Sequence, residues 1–299
     1  MITAVDLFAG CGGLSSGFTQ AGFDIKGAFE IWEPAIKCYK ENFDHEVYQC
    51  DLSDTKKAVE IINGINPDIV IGSPPCQDFS HAGKRIESDR ANLTKSYAEI
   101  VATVHPRCFV MENVDRAAKS HAYAVAREVL KNAGYGLTEE ILDASLCGAP
   151  QKRKRFIVFG ALGEQDGFAH EAMMAGLAEK PMTMRDYFGD SLGIDYYYRH
   201  PRNYSRRAIY SMDEPSATVR GVNRPVPKGY PGHHLDACEI NDSIRPLTTQ
   251  ERAWVQTFPK TYKFVGTKTD VEQMIGNAVP VNLGKYVAHI VKQYMGEER

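Results

Sequence analysis

Through the first half of the chain, short apolar runs closed by turn residues alternate with longer stretches whose apolar positions recur at helical spacing. Ile2–Phe8 is one such run, and glycines at positions 10, 12 and 13 end it. The segment predicts a strand, a tight turn and the start of an amphipathic helix. The theme then repeats. Gly27–Glu30 predicts a second strand ending in a carboxylate, residues 32–43 its following helix, and Val47–Asp51 a third strand ending in an acid before helix Thr55–Ile62. Asp68–Gly72 and Arg107–Val114 read as buried strands, with helices at Lys95–Val104 and Ala122–Ala133 and a further strand at Phe156–Gly160. This alternation predicts an α/β domain on a mostly parallel sheet.

From about Gly163 the rhythm stops. Residues 163–190 are mixed polar and Met-rich, and 196–235 are dominated by Tyr, Arg, Pro and Gly, which predicts a loop-rich region with short strands. The pattern recovers at Leu247–Phe258, a helix whose Thr248 and Glu251 have capping-box spacing. A loop over Gly276–Gly284 then leads into a helix at Lys285–Tyr294, placed to fold back on the first domain. The division expected is a domain over residues 1–180 completed by 265–299, and a smaller one over 181–264.

Composition narrows the class. The chain has 299 residues, 43% hydrophobic and 24% charged, as in an ordinary globular protein. No run approaches the roughly 20 apolar residues of a membrane helix. The first residues enter a strand pattern, so no signal peptide is expected. Seven cysteines without a C-x-x-C pair argue against a disulfide framework and a zinc site, and point to the cytoplasm. The net charge of −3 excludes a surface coated in positive charge, but Arg199, Arg202, Arg206, Arg207, Arg220, Arg224 and Lys228 face only Asp213 and Glu214 within their stretch. One region is locally basic, and its interleaved aromatics suit phosphates and bases.

Candidate chemistry lies at the predicted strand ends, where open parallel sheets gather their ligands. Ser73–Ser80, SPPCQDFS, follows a buried strand, and its paired prolines favour a rigid loop that presents Cys76. A lone cysteine is usually inert packing. Here a second strand ends in Glu112-Asn113, so a thiol and a carboxyl come from neighbouring strand ends as in covalent catalysis. Gly10 and Gly12 suit close approach to a ligand, but Ser15 stands where a dinucleotide fingerprint needs its third glycine. Glu30 stands where a Rossmann-like fold puts an acid on ribose hydroxyls. In Gln151–Arg155, Arg153 and Arg155 alternate with lysines and are expected to point the same way.

Six blocks occur in the order found in the DNA cytosine-5 methyltransferases, and the chain resembles that family over nearly its whole length. They are F-A-G-x-G-G at Phe8–Gly13, P-P-C-Q-x-F-S at Pro74–Ser80, E-N-V at Glu112–Val114, Q-x-R-x-R at Gln151–Arg155, the helix at Arg245–Pro259 and G-N-A-V-P at Gly276–Pro280. The resemblance implies a Rossmann-like S-adenosylmethionine-dependent domain plus a smaller target-recognition domain, acting on double-stranded DNA. It makes Cys76 the nucleophile on cytosine C6, and it puts Glu112 on the exocyclic amine and N3. Asn113 would brace the Cys76 loop, Arg155 would reach O2, and Arg153 would support the thiolate or a phosphate. Cofactor contacts carry over to Phe8, Ala9, Gly10, Cys11, Gly12, Gly13 and Leu14, to Glu30, Ile31, Asp51, Leu52, Pro74 and Leu93, and to Asn277, Ala278 and Val279. Adenine stacking is assigned to neither Ile31 nor Trp32, because relatives often carry an aromatic directly after the acid. Gln77, Ser80 and the six arginines of the basic region are the candidate DNA contacts.

The resemblance further implies S-adenosylhomocysteine as product, no metal, a monomer, and a restriction endonuclease as a genetic rather than a binding partner in a bacterium. The recognition region is short, which suggests a short site. A relative acting on transfer RNA would carry C-F-T in that region, whereas here Cys238 is followed by Glu239 and Ile240. A catalytically silent DNA-binding protein on this fold would be expected to lack Cys76 or Glu112, and a nicotinamide oxidoreductase is disfavoured by the broken glycine fingerprint.

Overall fold

The computed structural model describes residues 1–75, 93–201, 203 and 205–296. Cys76, Gln77, Ser80 and Arg202, named above as candidates, lie outside the described residues. Among the described residues a seven-stranded sheet is built of β1 (Thr3–Leu7), β2 (Asp24–Glu30), β3 (Glu46–Gln49), β4 (Ile69–Gly72), β5 (Cys108–Val114), β6 (Tyr135–Asp143) and β8 (Lys154–Leu162), with the two-residue β7 (Gln151–Lys152) before the last. Their order across the sheet is β3-β2-β1-β4-β5-β8-β6, parallel except that β8 runs antiparallel to both its neighbours. The predicted α/β class with a mostly parallel sheet is what the structure shows.

The central strands are buried on both faces, as parallel strands under two helical layers must be. Successive residues point to opposite faces. Ala4, Ile69, Ile71, Cys108 and Val110 enter one core with helix α1 (Gly13–Gln20) and helix α10 (Val281–Met295). Val5, Val70, Phe109 and Met111 enter the other, with helices α3 (Thr55–Ile65), α4 (Leu93–Val104) and α5 (His121–Asn132). β1 leads outward to β2 on one side, while β4 lies on its other side, which creates a switch point at the carboxyl ends of β1 and β4.

Two elements escape the hydrophobic pattern. β6 carries Glu139 and Glu140 in its middle, and helix α9 (Lys268–Asn277) is mostly polar. Gly276 and Asn277 therefore end a helix rather than open a loop. α10 begins at Val281 rather than Lys285, because Pro280 stands at its N-cap and fixes the entry. The C-terminal helix does fold back, packing on α1 with Leu283 and Val287 against the core shared with Leu14 and Phe18.

The middle region holds short elements, as expected. β9 (Tyr196–Tyr198) and β10 (Ile209–Ser211) pair antiparallel around a small core of Tyr198, Ile209, Tyr230 and Ile244. Asp236 pins this core by accepting from the N–H groups of Ala208 and Ile209 and from the Tyr230 hydroxyl. β11 (Ser216–Ala217) leaves it and pairs parallel with β7. Three further bonds extend that seam, from Ser216 N to Pro150 O, from Thr218 Oγ1 to Lys152 O and from Val219 N to Gln151 Oε1, each 2.8 Å. Helix α8 (Thr249–Val255) starts at the expected capping box, with Thr248 and Glu251 bonded reciprocally. Its Ala253 and Val255 share a core with Cys11, Ala35 and Ala278.

Candidate active site

At the switch point a cavity of about 600 Å³ opens between the β1–α1 loop, the ends of β2 to β5, the Arg153–Arg155 strand and the α9–α10 junction. A cavity of this size suits a ligand of several hundred daltons. It brings together nineteen of the predicted residues: Phe8, Ala9, Gly10, Cys11, Gly13, Leu14, Glu30, Ile31, Asp51, Leu52, Pro74, Leu93, Glu112, Asn113, Arg153, Arg155, Asn277, Ala278 and Val279. Gly12 is not in the wall. It is the N-cap of α1 at φ 86°, packed beneath the rings of Phe43, Tyr39 and Tyr262.

The glycine loop is tied to the next strand by Glu30. One carboxylate oxygen accepts from Gly10 N–H at 2.7 Å, and the other from Ile31 and Trp32 N–H at 2.8 and 2.9 Å. A carboxylate has about four acceptor sites, so capacity for a ligand hydroxyl remains. Gly276, on the opposite wall, has no room for a side chain, because a Cβ there would lie 2.1 Å from Gly221 N. This seats residues 220–221 directly on the cavity wall.

Glu112 and Arg155 form the polar end. Their ion pair is 2.8 Å long and nearly dry, with side chains 8% and 12% exposed. It forms because β5 and β8 run antiparallel with Val114 opposite Arg155, which sets the arginine diagonally across from Glu112. Asn113 Nδ2 donates to Pro74 O at 3.0 Å and so holds the backbone two residues before Cys76.

Arg153 lines the same cavity but is differently employed. Its guanidinium donates to Val219 O at 3.0 Å, Gly276 O at 3.0 Å and Ala278 O at 3.1 Å. Burial, with Arg155 adding repulsion and Glu112 opposing, holds its pKa well below the usual arginine range. These contacts make it a clamp between the Val219 segment and the α9–α10 junction, while its Nε has no hydrogen-bond partner among the described residues. Beside it, Gln151 Nε2 donates to Gln256 Oε1 at 2.7 Å, and Gln256 Nε2 to Ala278 O at 3.0 Å.

The basic region also divides. Arg207 is paired with Glu214 and lies 4.2 Å over the Tyr210 ring, Arg199 donates to Thr218 O at 2.7 Å, and Arg220 donates to His200 O. Each of these three guanidinium groups makes at least one contact within the fold. Arg206 and Arg224 are exposed. Alternation of arginine and aromatic residues cannot separate the two classes, since both serve surface and fold.

Asp6, Trp32, Ala35, Cys50, Ser73, Pro75, Val114, Met274 and Gly276 also line the wall without having been assigned to the site from the sequence. Asp6 is the most informative. It is completely buried, its Oδ2 accepts from Ser15 Oγ at 2.5 Å, and its Oδ1 has no hydrogen-bond partner among the described residues. Burial pushes its pKa up to about 7, with Ser15 pulling down and Glu30 adding repulsion. An acid inside an otherwise apolar strand was the available signal. Among the described residues no cluster of His, Cys, Asp and Glu could hold a metal ion, and no helix is long and apolar enough to cross a membrane.

The comparisons agree with this geometry. The family model described as C-5 cytosine-specific DNA methylase matches residues 2–293. The chain is 54% identical over 298 residues to the Type II methyltransferase M.HindV of Haemophilus influenzae, spanning 98% of this chain and 97% of that protein. It is 51% identical over 296 residues to the Type II methyltransferase M.HgiDI of Herpetosiphon aurantiacus, spanning 99% and 96%. Among solved structures, the fold matches that of the S. pombe Dnmt2 methyltransferase with a TM-score of 0.72 at 18% identity, over 99% of both chains. It matches the Entamoeba histolytica methyltransferase EhMeth with a TM-score of 0.67 at 16% identity, again over 99% of both.

Proposed function

We propose a mechanism on the premise that this chain belongs to the C-5 cytosine-specific DNA methylase family and is a DNA (cytosine-5)-methyltransferase. Its substrate is a cytosine within a short sequence of double-stranded DNA, and its biological setting is a restriction–modification system, where it works as a soluble monomer beside a cognate endonuclease. The observation that supports this best is that most residues expected to hold the methyl donor line one cavity with Glu112, Asn113, Arg153 and Arg155.

S-adenosylmethionine supplies an electrophilic methyl group. The wall fits such a group, with spare acceptor capacity at Glu30, an unpartnered oxygen at Asp6 and closed backbone at the α9–α10 junction. Phe8, Ala9, Gly10, Cys11, Gly13, Leu14, Glu30, Ile31, Asp51, Leu52, Pro74, Leu93 and Asn277–Val279 are the residues that would hold it.

Cytosine C5 is too weak a nucleophile to attack a methyl donor unaided. The Cys76 thiolate adds to C6, and the electron pair of the C5–C6 double bond then becomes available at C5. Glu112 holds the exocyclic amine and N3 as charge moves through the ring, and Arg155, already locked to Glu112, covers O2. After C5 has taken the methyl group, its proton leaves to a base, the C5–C6 double bond reforms, and Cys76 departs as the thiolate. The base is flipped out of the helix to reach a cavity this enclosed.

Bisulfite sequencing of plasmid DNA from cells expressing the chain, beside a Cys76→Ser control, tests the reading. Protected cytosines in one short motif, present only with the wild-type chain, are expected. Protection that survives in the control would overturn the covalent route, and no protected motif from a folded chain that binds S-adenosylmethionine would overturn the DNA substrate.

A further inference from the structure

The free oxygen of Asp6 stands at one end of a hydrogen-bonded line that leaves the cavity. Ser15 Oγ donates to Asp6 Oδ2 at 2.5 Å, the Tyr39 hydroxyl donates to Ser15 Oγ at 2.6 Å, and His45 Nε2 lies 2.8 Å from the Tyr39 oxygen. Asp6, Ser15 and Tyr39 are fully buried, whereas His45 is half-buried near the surface. A tyrosine hydroxyl has one hydrogen, and Tyr39 gives it to Ser15. His45 Nε2 must therefore carry the proton of the last bond, and every donor in the line points toward Asp6.

None of the motifs read from the sequence includes Ser15, Tyr39 or His45 in this role. Ser15 stood out only as the residue that breaks a glycine fingerprint, and its hydroxyl now has a use. A buried carboxylate oxygen without a partner is costly and requires an explanation. Here the explanation consistent with its place in the cavity wall is a donor brought by the ligand, and S-adenosylmethionine carries both an ammonium and a sulfonium group.

Resting on the cofactor reading above, we propose that Ser15, Tyr39 and His45 are positioning residues for cofactor binding: they anchor Asp6 by Oδ2, favour its ionised form, and leave Oδ1 as the acceptor for the cationic end of the cofactor. The groups that face Asp6 are Ser15 on α1, Tyr39 on helix α2 (Glu33–Lys40), Glu30 at the end of β2 and Tyr97 on α4. Glu30 opposes ionisation and the hydroxyl line favours it. His45 is faced by Asp24 and Asp44, and burial holds it below the usual histidine range, so it is the neutral imidazole at pH 7.

The test is calorimetric titration of the full chain with S-adenosylmethionine between about pH 6 and about pH 9. Wild-type affinity is expected to rise through about pH 7 as Asp6 ionises. Tyr39→Phe keeps the ring, which packs 4.3 Å from Phe43, and removes only the hydroxyl. Its curve is expected to shift upward by a few tenths of a pH unit, because Ser15 keeps its bond to Asp6 and loses only the donor that polarises it. Binding is then weaker by up to about two-fold at pH 7 and equal to wild type at about pH 9. His45→Leu should shift the curve the same way, and His45→Gln, whose amide can donate from the Nε2 position, should restore it. A loss in Tyr39→Phe that is the same at every pH, or no shift at all, would overturn the proposal. Absence of wild-type binding at every pH would overturn the cofactor reading and the proposal with it.

Discussion

Asp6→Asn isolates the energetic cost of keeping a carboxyl in the cavity wall. The folded pKa of Asp6 is about 7, raised from 3.8 by burial. A folded pKa above the unfolded one means that the native state retains a proton the unfolded chain releases. The contribution of Asp6 to stability is therefore complete below about pH 4, falls as pH rises between the two pKa values, and stays at its minimum above about 7. Between about pH 5.5 and about pH 8 roughly 1.5 pH units of that interval remain, which amounts to a fall of about 2 kcal/mol at 1.36 kcal/mol per unit. Asparagine does not titrate, so urea unfolding of the ligand-free variant should lack this part of the slope. The remaining titrating groups are common to both proteins and cancel in the difference, as does any pH-independent cost of the amide. Equal pH slopes in the two proteins would refute the argument.

Other substitutions test other parts of the site. Glu112→Gln leaves Arg155 without its counter-charge and should lower turnover by about 10²–10⁴-fold while S-adenosylmethionine binding persists, measured by tritium transfer and calorimetry. Gly276→Ala drives a methyl into Gly221 and should cost about 1–3 kcal/mol in a denaturant melt, weakening cofactor and duplex binding together. Arg207→Ala should cost about 1–2 kcal/mol of stability, through its Glu214 and Tyr210 contacts, with duplex affinity of the folded fraction unchanged. Arg224→Ala should instead leave the melting temperature unchanged and reduce the salt dependence of duplex binding by about one counterion.

The parts of this molecule that were legible in the sequence are those where a local rule and the tertiary outcome coincide. Apolar runs bounded by glycine became the central strands, and the reciprocal bonds of Thr248 and Glu251 start α8 where their spacing said they would. Strand ends carrying Glu30, Asp51 and Glu112 converge because a parallel sheet turns chain order into spatial proximity. What was not legible depends on partners distant in sequence. β6 is polar in its middle because Glu139 faces Tyr123 and Arg127 rather than a second apolar layer. Arg153 looks like any arginine of a basic run until Val219, Gly276 and Ala278 are folded around it. The same holds for Arg252 and Glu272, which form a buried ion pair with Arg252 also bonded to Arg220 O.

The parallel pairing of β11 with β7 bears on how the segment between residues 182 and 247 can be exchanged between members of this family. Most of that seam is main chain on both sides, from Pro150, Lys152, Ser216 and the two strands, so it places few demands on side-chain identity. Its fixed requirement is the glutamine and arginine pair, Gln151 and Arg153, that grips Val219. A chimera joined between residues 182 and 247 would import its own half of the seam intact and dock it on a recipient that keeps Gln151 and Arg153. One joined inside Ser216–Arg220 would separate the strand from the clamp that registers it, and the imported segment would sit out of step with the cavity wall.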